Sequence, residues 1–411
     1  MEKLIGNAVV GQSGGPTSAI NATLAGIIRG VLEGDGTIKT LYGMKNGIEG
    51  LLREELVDLN AFFSDEEKLG LLEKTPAAAL GSCRKKLPDP ESGDKVYEDI
   101  IAIFKKYDIR YFFYIGGNDS MDAVAKLSRY SEHCNYEMRI IGVPKTIDND
   151  LCATDHCPGF GSAAKYIATT LQEIIRDCAV YTTRAVTVVE IMGRDAGWLT
   201  ASSGVGKFAN GIAPDLVYLP ERVFDFEKFF LDVKNALDDH PNVVVAVSEG
   251  VRLADGRYVG EGSQSGISDV FGHKYLAGTG KALEIAVREK FGCKVRSVEL
   301  SLPQRCAAHM QSATDIEESL RVGRAAVQAA ENGKSCIMMC ILRVENDPYR
   351  SEIGCADIQA IANRAQGVPD EYINSEGNHI TEECAKYVLP LIAGEVMPTF
   401  KDGLPVHCII K

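Results

Sequence analysis

The stretch LIGNAVVGQSGGPT, from Leu4 to Thr17, predicts how this chain begins to fold. Leu4 to Gly11 is a largely apolar run typical of a buried strand, and the glycine-rich turn Gly14-Gly15-Pro16-Thr17 ends it. Apolar side chains then return at helical spacing, at Ile20, Leu24, Ile27, Ile28, Val31 and Leu32. Glycines at such a turn let the backbone approach a phosphate at the helix start, although any tight strand-to-helix turn also uses glycine.

The same order of strand, turn and helix recurs along the chain. Strands are predicted at Arg110–Ile115, Arg184–Ile191 and Val243–Val247, and glycine or acidic residues follow them. This rhythm favours parallel sheets covered by helices, and 411 residues exceed one ordinary core. We therefore predict an α/β protein of two Rossmann-like α/β/α domains with mostly parallel sheets, and an active site in the interdomain cleft.

Composition limits the class of protein. The chain is 45% hydrophobic and 25% charged, which is typical of a soluble globular protein. Its net charge of −13 disfavours nucleic acid and anionic membranes as partners, and no apolar stretch approaches the ~20 residues of a membrane span. The twelve cysteines form no CxxC pair, and the start of the chain does not resemble a signal peptide. We therefore expect free thiols and a cytoplasmic location.

The loop VPKTIDND, from Val143 to Asp150, is the strongest candidate for a chemical site. It follows an apolar run and carries one cation and two carboxylates. In an extended loop, the side chains of Asp148 and Asp150 point to one side. One carboxylate can accept a hydroxyl proton while the other holds a metal, and phosphoryl transfer to an alcohol uses both roles. A turn with solvated charges is the alternative.

Four other segments carry groups suited to anions or metals. Gly116-Gly117-Asn118-Asp119-Ser120 suits a phosphate–metal site or a helix N-cap. Met192-Gly193-Arg194 offers a phosphate or transition-state clamp, or an arginine that pairs with Asp195 or a neighbour. Arg84 lies in a small basic cluster that could meet an anion or form a solvated turn, and Pro303-Gln304-Arg305 places a guanidinium in a loop.

In order and spacing, these segments resemble the phosphofructokinase superfamily, and most closely its pyrophosphate-dependent 6-phosphofructokinases. Thr154-Asp155, Gly159–Ala163 and Ser248-Glu249-Gly250 extend the resemblance to nearly the whole chain. It implies reversible transfer of a phosphoryl group from pyrophosphate to the C1 hydroxyl of fructose 6-phosphate, giving fructose 1,6-bisphosphate and phosphate, with Mg²⁺ as cofactor. It also implies a homodimer or homotetramer. Residues 1–160 plus about 304–360 would bind the donor, and 161–303 plus about 361–411 the sugar phosphate.

The resemblance also implies roles for single residues. Asp148 is implied to be the base, with Arg194, Lys145 and Thr146 as further catalytic residues. Donor binding is implied for Gly14, Gly15, Arg84, Gly117, Asp119 and Lys145. Substrate binding is implied for Thr146, Ile147, Asp148, Met192, Gly193, Arg194, Glu249, Gln304 and Arg305. Asn118 and Asp150 are implied to bind the metal, and Arg184 and Arg296 to be lent by a neighbouring subunit.

Two positions bear on the choice of donor. ATP-using members of the superfamily have glycines where this chain has Asp119 and Lys145. The Asp119 side chain would crowd and repel a nucleotide α-phosphate, while Lys145 would offset the charge of bare pyrophosphate. An ion pair of Lys145 with Asp119 or Asp150 is the structural alternative.

The chain also departs from its relatives at two positions. Asn118 replaces an aspartate of many relatives, so the metal would depend on Asp150 and the phosphates. Leu302 replaces a polar sugar contact of the ATP-type relatives. An ATP-dependent phosphofructokinase is the nearest alternative function. A non-catalytic regulatory subunit that binds sugar phosphate is the alternative of another class, which Asp148 and Arg194 disfavour.

Overall fold

A computed structural model of the chain describes residues 3–261, 278–361 and 364–410. Its strands are β1 (Gly6–Gln12), β2 (Ile38–Met44), β3 (Leu56–Asp58), β4 (Ile109–Gly116), β5 (Arg139–Pro144), β6 (Ala185–Ile191), β7 (Leu216–Tyr218), β8 (Asn242–Ser248), β9 (Lys294–Glu299), β10 (Gln311–Ser312), β11 (Ile337–Asn346), β12 (Tyr349–Asp357), β13 (Glu395–Val396), β14 (Phe400–Lys401) and β15 (Leu404–Pro405).

The α-helices alternate with these strands over most of the chain. They are α1 (Ile20–Glu33), α2 (Gly47–Leu52), α3 (Leu59–Phe62), α4 (Glu66–Lys74), α5 (Val96–Lys106), α6 (Asn118–His133), α7 (Phe160–Cys178), α8 (Trp198–Ser202), α9 (Gly206–Ala209), α10 (Phe226–Asp239), α11 (Thr279–Phe291), α12 (Pro303–Cys306), α13 (Ala313–Glu331) and α14 (Glu382–Val388). None of the helices within the described ranges is both long and apolar enough to cross a membrane.

Two sheets carry the fold. The first has seven strands in the order β12-β11-β5-β4-β1-β2-β3, and only its edge pairs β2–β3 and β11–β12 are antiparallel. The second has four parallel strands in the order β7-β8-β6-β9. The prediction of mostly parallel sheets in two α/β domains is therefore confirmed. The predicted strands Leu4–Gly11 and Arg110–Ile115 correspond to β1 and β4.

The first sheet is buried on both faces, as a parallel sheet between helices must be. Successive residues of β4 alternate between two apolar clusters: Tyr111, Phe113 and Ile115 lie in one, and Phe112 and Tyr114 in the other. This alternation follows from the two-residue period of a strand. It explains why the strand reads as a continuous apolar run in the sequence.

The second sheet is built in the same way. Along β8, Val243, Val245 and Val247 enter one cluster, while Val244 and Ala246 enter the other. Helix α14 also packs on this second domain, through Cys384, Ala385 and Val388. The last residues return to the first sheet, where Cys408 and Ile410 join its core. The predicted division of the chain between donor and sugar domains stays a prediction.

Candidate active site

A cleft of about 660 Å³ lies where the carboxyl ends of both sheets meet. This is where parallel α/β sheets place their ligands. Its walls include residues at or within two positions of the carboxyl ends of β1, β4, β5, β6, β8 and β9. Of the predicted site residues, the cleft brings together Gly14, Gly15, Arg84, Gly117, Asn118, Asp119, Lys145, Thr146, Ile147, Asp148, Asp150, Met192, Arg194, Glu249, Gln304 and Arg305. Gly193 lies directly behind the wall, where its N–H donates to Glu249 Oε1 over 3.3 Å.

The glycine turn after β1 is approached by two cations. Gly14 has a φ of +75°, a conformation that favours glycine. A Cβ atom at Gly14 would lie 3.4 Å from Lys145 Nζ, and one at Gly15 would lie 3.3 Å from Arg305 Nη1. The turn thus presents its backbone beside an ammonium and a guanidinium group, which suits a phosphate of high charge.

Lys145 is buried, with 3% of its surface exposed, and its Nζ donates to Gly15 O over 2.7 Å. Burial lowers its pKa to about 8, against the pull of Asp148 and Asp150 toward the charged form. Within the described ranges, neither Asp119 nor Asp150 forms the ion pair with Lys145 that was the structural alternative; Asp119 instead meets Lys86 at 3.6 Å. The ammonium therefore points into the glycine turn.

The loop after β5 holds its two aspartates by local and distant contacts. Thr146 Oγ1 accepts from the Asp148 N–H over 3.1 Å and faces Asp148 Oδ2 at 3.5 Å. Asn149 between the acids has a φ of +54°, and its amide donates to Tyr387 Oη over 3.0 Å while accepting from the Cys157 N–H over 2.9 Å. The loop is therefore a fixed site and not a solvated turn.

The two carboxyl groups of this loop are hard to ionise together. Burial raises the pKa of Asp148, although Lys145 and Arg194 pull it down. Burial, followed by the nearby Asp148, raises the pKa of Asp150 to about 7. A raised pKa makes the Asp148 carboxylate a stronger base for a hydroxyl proton, which suits a general base.

Asn118 and Asp150 form the candidate metal position. Asn118 Nδ2 donates to Asp150 Oδ2 over 2.8 Å, whereas Asn118 Oδ1 is buried and has no hydrogen-bond partner among the described residues. A buried acceptor without a partner beside a carboxylate fits a hard cation such as Mg²⁺, which binds oxygen and keeps several waters. No cluster of three or more His, Cys, Asp or Glu suited to a metal occurs in the described parts of the chain. The remaining ligands would thus come from phosphates and water.

The wall from the second sheet is fixed by side chains bonded to the backbone. Gln304 is 1% exposed and its Oε1 accepts from the Met192 N–H over 3.0 Å. Gly193 has a φ of +135°, and a Cβ there would lie 2.5 Å from Ala196 O, so a side chain is excluded. Burial, followed by the charge of Asp148, raises the pKa of Glu249 to about 7. This wall presents hydrogen-bonding groups that suit a sugar.

Arg194 lines the cleft, and it forms no ion pair with Asp195 or another neighbour in the described parts of the chain. Asp195 instead accepts from Arg252 Nη2 over 2.8 Å. Arg194 Nε is buried and has no hydrogen-bond partner in the described structure. A buried guanidinium nitrogen whose N–H has no acceptor is suited to a negatively charged ligand.

Sequence reasoning missed several residues of the cleft wall, among them Glu190, Glu299, Ser301, Arg364 and Ala365. Glu299 ends β9 and Ser301 follows it, so both could have been found from their position at a strand end. Arg364 and Ala365 lie in no motif and are brought to the cleft from far along the chain. Arg184 and Arg296 are not part of this wall: Arg184 pairs with Asp238 at 2.9 Å, and Arg296 lines a separate cavity of about 250 Å³.

Comparison with known proteins agrees with this architecture. The Phosphofructokinase family matches residues 7–330 of the chain, so the chain belongs to the phosphofructokinase family. It is 41% identical over 402 residues to a protein of Methylococcus capsulatus named pyrophosphate–fructose 6-phosphate 1-phosphotransferase, covering 97% of this chain and 94% of that one. A protein of Halomonas elongata with the same name is 40% identical over 401 residues, with the same coverage.

A solved structure has the same fold over nearly the whole chain. The crystal structure of a pyrophosphate-dependent phosphofructokinase from Nitrosospira multiformis is 38% identical, with a TM-score of 0.88. The match covers 98% of this chain and 95% of that one. The two-sheet architecture is therefore that of the family.

Proposed function

We propose that this chain transfers a phosphoryl group from pyrophosphate to the C1 hydroxyl of fructose 6-phosphate, giving phosphate and fructose 1,6-bisphosphate, in a reversible step of glycolysis and gluconeogenesis. The observation that carries the choice of donor is the buried Lys145 ammonium at the glycine turn, with the Asp119 carboxylate at the start of α6. The relatives at about 40% identity bear the corresponding name. They favour this function over an ATP-dependent kinase and over a non-catalytic regulatory subunit.

The geometry supports direct transfer between two bound substrates. Asp148 takes the proton of the C1 hydroxyl, and the resulting oxygen attacks the terminal phosphorus of pyrophosphate. The bridging P–O bond breaks, and phosphate leaves from the glycine turn. Lys145 and Arg194 stabilise the negative charge on the transferring group, while Thr146 orients Asp148. Met192, Gly193 and Glu249 would hold the sugar, and Arg305 its 6-phosphate.

The choice of donor can be tested by removing the side chains of Asp119 and Lys145. Wild-type enzyme should turn over pyrophosphate and not ATP. The double change Asp119→Gly with Lys145→Gly should lower the ratio of kcat/KM for pyrophosphate to that for ATP by roughly 10-fold or more, because it removes both the crowding carboxylate and the compensating cation. Steady-state assays with each donor measure this ratio.

The two single changes separate these contributions. Asp119→Gly alone should chiefly raise kcat/KM for ATP, and Lys145→Gly alone should chiefly lower kcat/KM for pyrophosphate. A double variant with the wild-type preference would refute the blocking role of these residues, and a wild-type enzyme that prefers ATP would refute the proposed function.

The proposed cofactor is Mg²⁺, held by Asp150 and Asn118. When bound, it would neutralise charge on the pyrophosphate oxygens. Asn118→Asp replaces an amide oxygen with a carboxylate, a stronger ligand, and should lower the half-saturating Mg²⁺ concentration by roughly 10-fold. Asp150→Asn should raise it. Titration of activity with Mg²⁺ after chelation measures both shifts.

The same titration has an expected pH dependence. Since the pKa of Asp150 is about 7, protons compete with Mg²⁺ below that pH, and more Mg²⁺ should be needed there than at pH 8. An unchanged metal requirement in both Asn118→Asp and Asp150→Asn would place the metal elsewhere.

We also propose that the enzyme is a homodimer or homotetramer. Arg184 and Arg296 lie outside the chain's own cleft, as residues lent to a neighbour's sugar-phosphate site would. Arg296→Ala should raise the KM for fructose 6-phosphate. In a hybrid with the inactive Asp148→Asn variant, the cleft that keeps its own Asp148 should receive an intact Arg296 from the Asp148→Asn subunit. Light scattering gives the mass; a monomer with full activity would refute this proposal.

We propose a cytoplasmic location. All twelve cysteines are free thiols in the structure, as expected for a protein kept in a reducing compartment. Fractionation of the source cells with an activity assay measures the location, and activity confined to an oxidising compartment would contradict it.

A further inference from the structure

The segment 364–368 is bonded to the loop that carries the catalytic aspartates. Ala365 forms an antiparallel bridge with Leu151. The Gln366 N–H donates to Asp150 O over 2.8 Å. The backbone of this late segment is thus fixed directly beside Asp150, and it brings Arg364 and Ala365 into the wall of the cleft.

The same segment is also bonded to the loop that follows Arg194. Trp198 Nε1 donates to Gln366 O over 3.0 Å. The carboxylate of Glu221 joins the two pieces of backbone, because its Oε1 accepts from both the Val368 N–H and the Gly197 N–H at 2.8 Å. Segment 364–368 is therefore held from both domains and lies where their two catalytic loops meet.

Arg364 itself carries a charge that the protein leaves available. Arg364 is exposed and lines the cleft, and within the described ranges its side chain forms no hydrogen bond or ion pair; its backbone N–H donates to Ile361 O over 3.2 Å. Three other arginines of the same region are paired: Arg222 with Asp370, Arg252 with Asp195, and Arg343 with Asp155. In a chain of net charge −13, an arginine without a carboxylate on the wall of an anion-binding cleft is suited to a ligand.

We propose that Arg364 is a further substrate-binding residue, which contacts a phosphate oxygen at the junction of the two catalytic loops. The proposal rests on the proposed function, since that function makes the ligands of the cleft polyanions. The phosphate belongs either to pyrophosphate or to the sugar, because the residue lies between the donor wall and the sugar wall. The backbone bonds of Ala365 and Gln366 keep the Cα of Arg364 fixed, so that the guanidinium can bind without a rearrangement of the loop.

The test compares Arg364→Ala and Arg364→Lys with the control Arg222→Ala, which removes an arginine that pairs with Asp370 and does not line the cleft. KM and kcat are measured for pyrophosphate and fructose 6-phosphate, and for phosphate and fructose 1,6-bisphosphate in reverse. Arg364→Ala should raise one pair of KM values by roughly 10- to 100-fold, the range of a hydrogen bond between charged groups, with a smaller change in kcat. Arg364→Lys should recover part of the loss.

The affected pair identifies the source of the phosphate. Higher KM values for pyrophosphate and phosphate indicate the donor, and higher values for the two sugar phosphates indicate the acceptor. KM values of Arg364→Ala within about twofold of those of Arg222→Ala would overturn the proposal. Calorimetry measures the binding of pyrophosphate and of fructose 6-phosphate without turnover. Equal binding by wild type and Arg364→Ala, or no binding by either, would also overturn the proposal. A wild type that binds these ligands but does not turn over pyrophosphate would refute the proposed function alone.

Discussion

Asp148→Asn should lower kcat by roughly 10²- to 10⁴-fold, with little change in the KM for either substrate. The asparagine keeps the size of the side chain and its place beside Thr146, but it cannot take the proton of the C1 hydroxyl. Without that proton transfer, the attacking oxygen stays a poor nucleophile. Steady-state kinetics with pyrophosphate and fructose 6-phosphate at saturating Mg²⁺ measure the loss.

Two controls separate a lost base from lost charge or lost structure. Asp195→Asn also removes one negative charge from the cleft wall, yet Asp195 is paired with Arg252, so its loss should cost less than tenfold. The thermal midpoint of Asp148→Asn should equal or exceed that of wild type, because the raised pKa of Asp148 means that its charged form is disfavoured by burial. Retention of more than a tenth of kcat would mean that another group is the base.

His156→Ala should lower the free energy of unfolding by roughly 3–5 kcal/mol, the cost of removing one partner from a buried charge pair. His156 is 2% exposed and lies between two carboxylates, with Nδ1 2.7 Å from Asp155 Oδ2 and Nε2 2.6 Å from Glu318 Oε2. Removing the imidazole leaves the carboxylate of Glu318 buried, and its remaining partners among the described residues are the neutral hydroxyl groups of Tyr349 and Ser351. Equilibrium denaturation measures the change.

The control for this substitution is His133→Ala. His133 is exposed and, within the described ranges, its ring bonds only to a backbone carbonyl of its own helix, so its removal should change stability by no more than about 0.5 kcal/mol. Equal stability of the two variants would contradict the charge-pair account of His156.

The stability of the wild type should also depend on the charge of His156. Burial lowers its pKa, but the two carboxylates outweigh burial and raise it from 6.5 to about 9. Because the pKa of His156 is higher in the folded protein than in the unfolded chain, its protonation stabilises the fold. This contribution is fully present below about pH 6.5 and is lost as the pH rises through about 9. The free energy of unfolding should therefore fall between these values in wild type and fall less in His156→Ala. An equal pH dependence of the free energy of unfolding in wild type and His156→Ala would show that His156 does not titrate as its contacts imply.

The sequence determined the elements and most of the cleft. The apolar runs of β1, β4, β6 and β8 identify strands because each side of a parallel sheet is covered, and polar loops at strand ends identify the site because those ends share one edge. Both signals are local, since they depend on the period of a strand and on turn chemistry. The resemblance to a family added implied roles that spacing alone does not supply.

Only the tertiary structure decided which charges pair. Lys145 bonds to Gly15 O and not to a carboxylate, Asp195 pairs with Arg252 and not with Arg194, and Arg364 reaches the cleft from more than 200 residues beyond Asp148. No local pattern encodes these choices. They follow from how two sheets and a late segment close around one cleft, where burial leaves each polar group only the partners that the chain brings within reach.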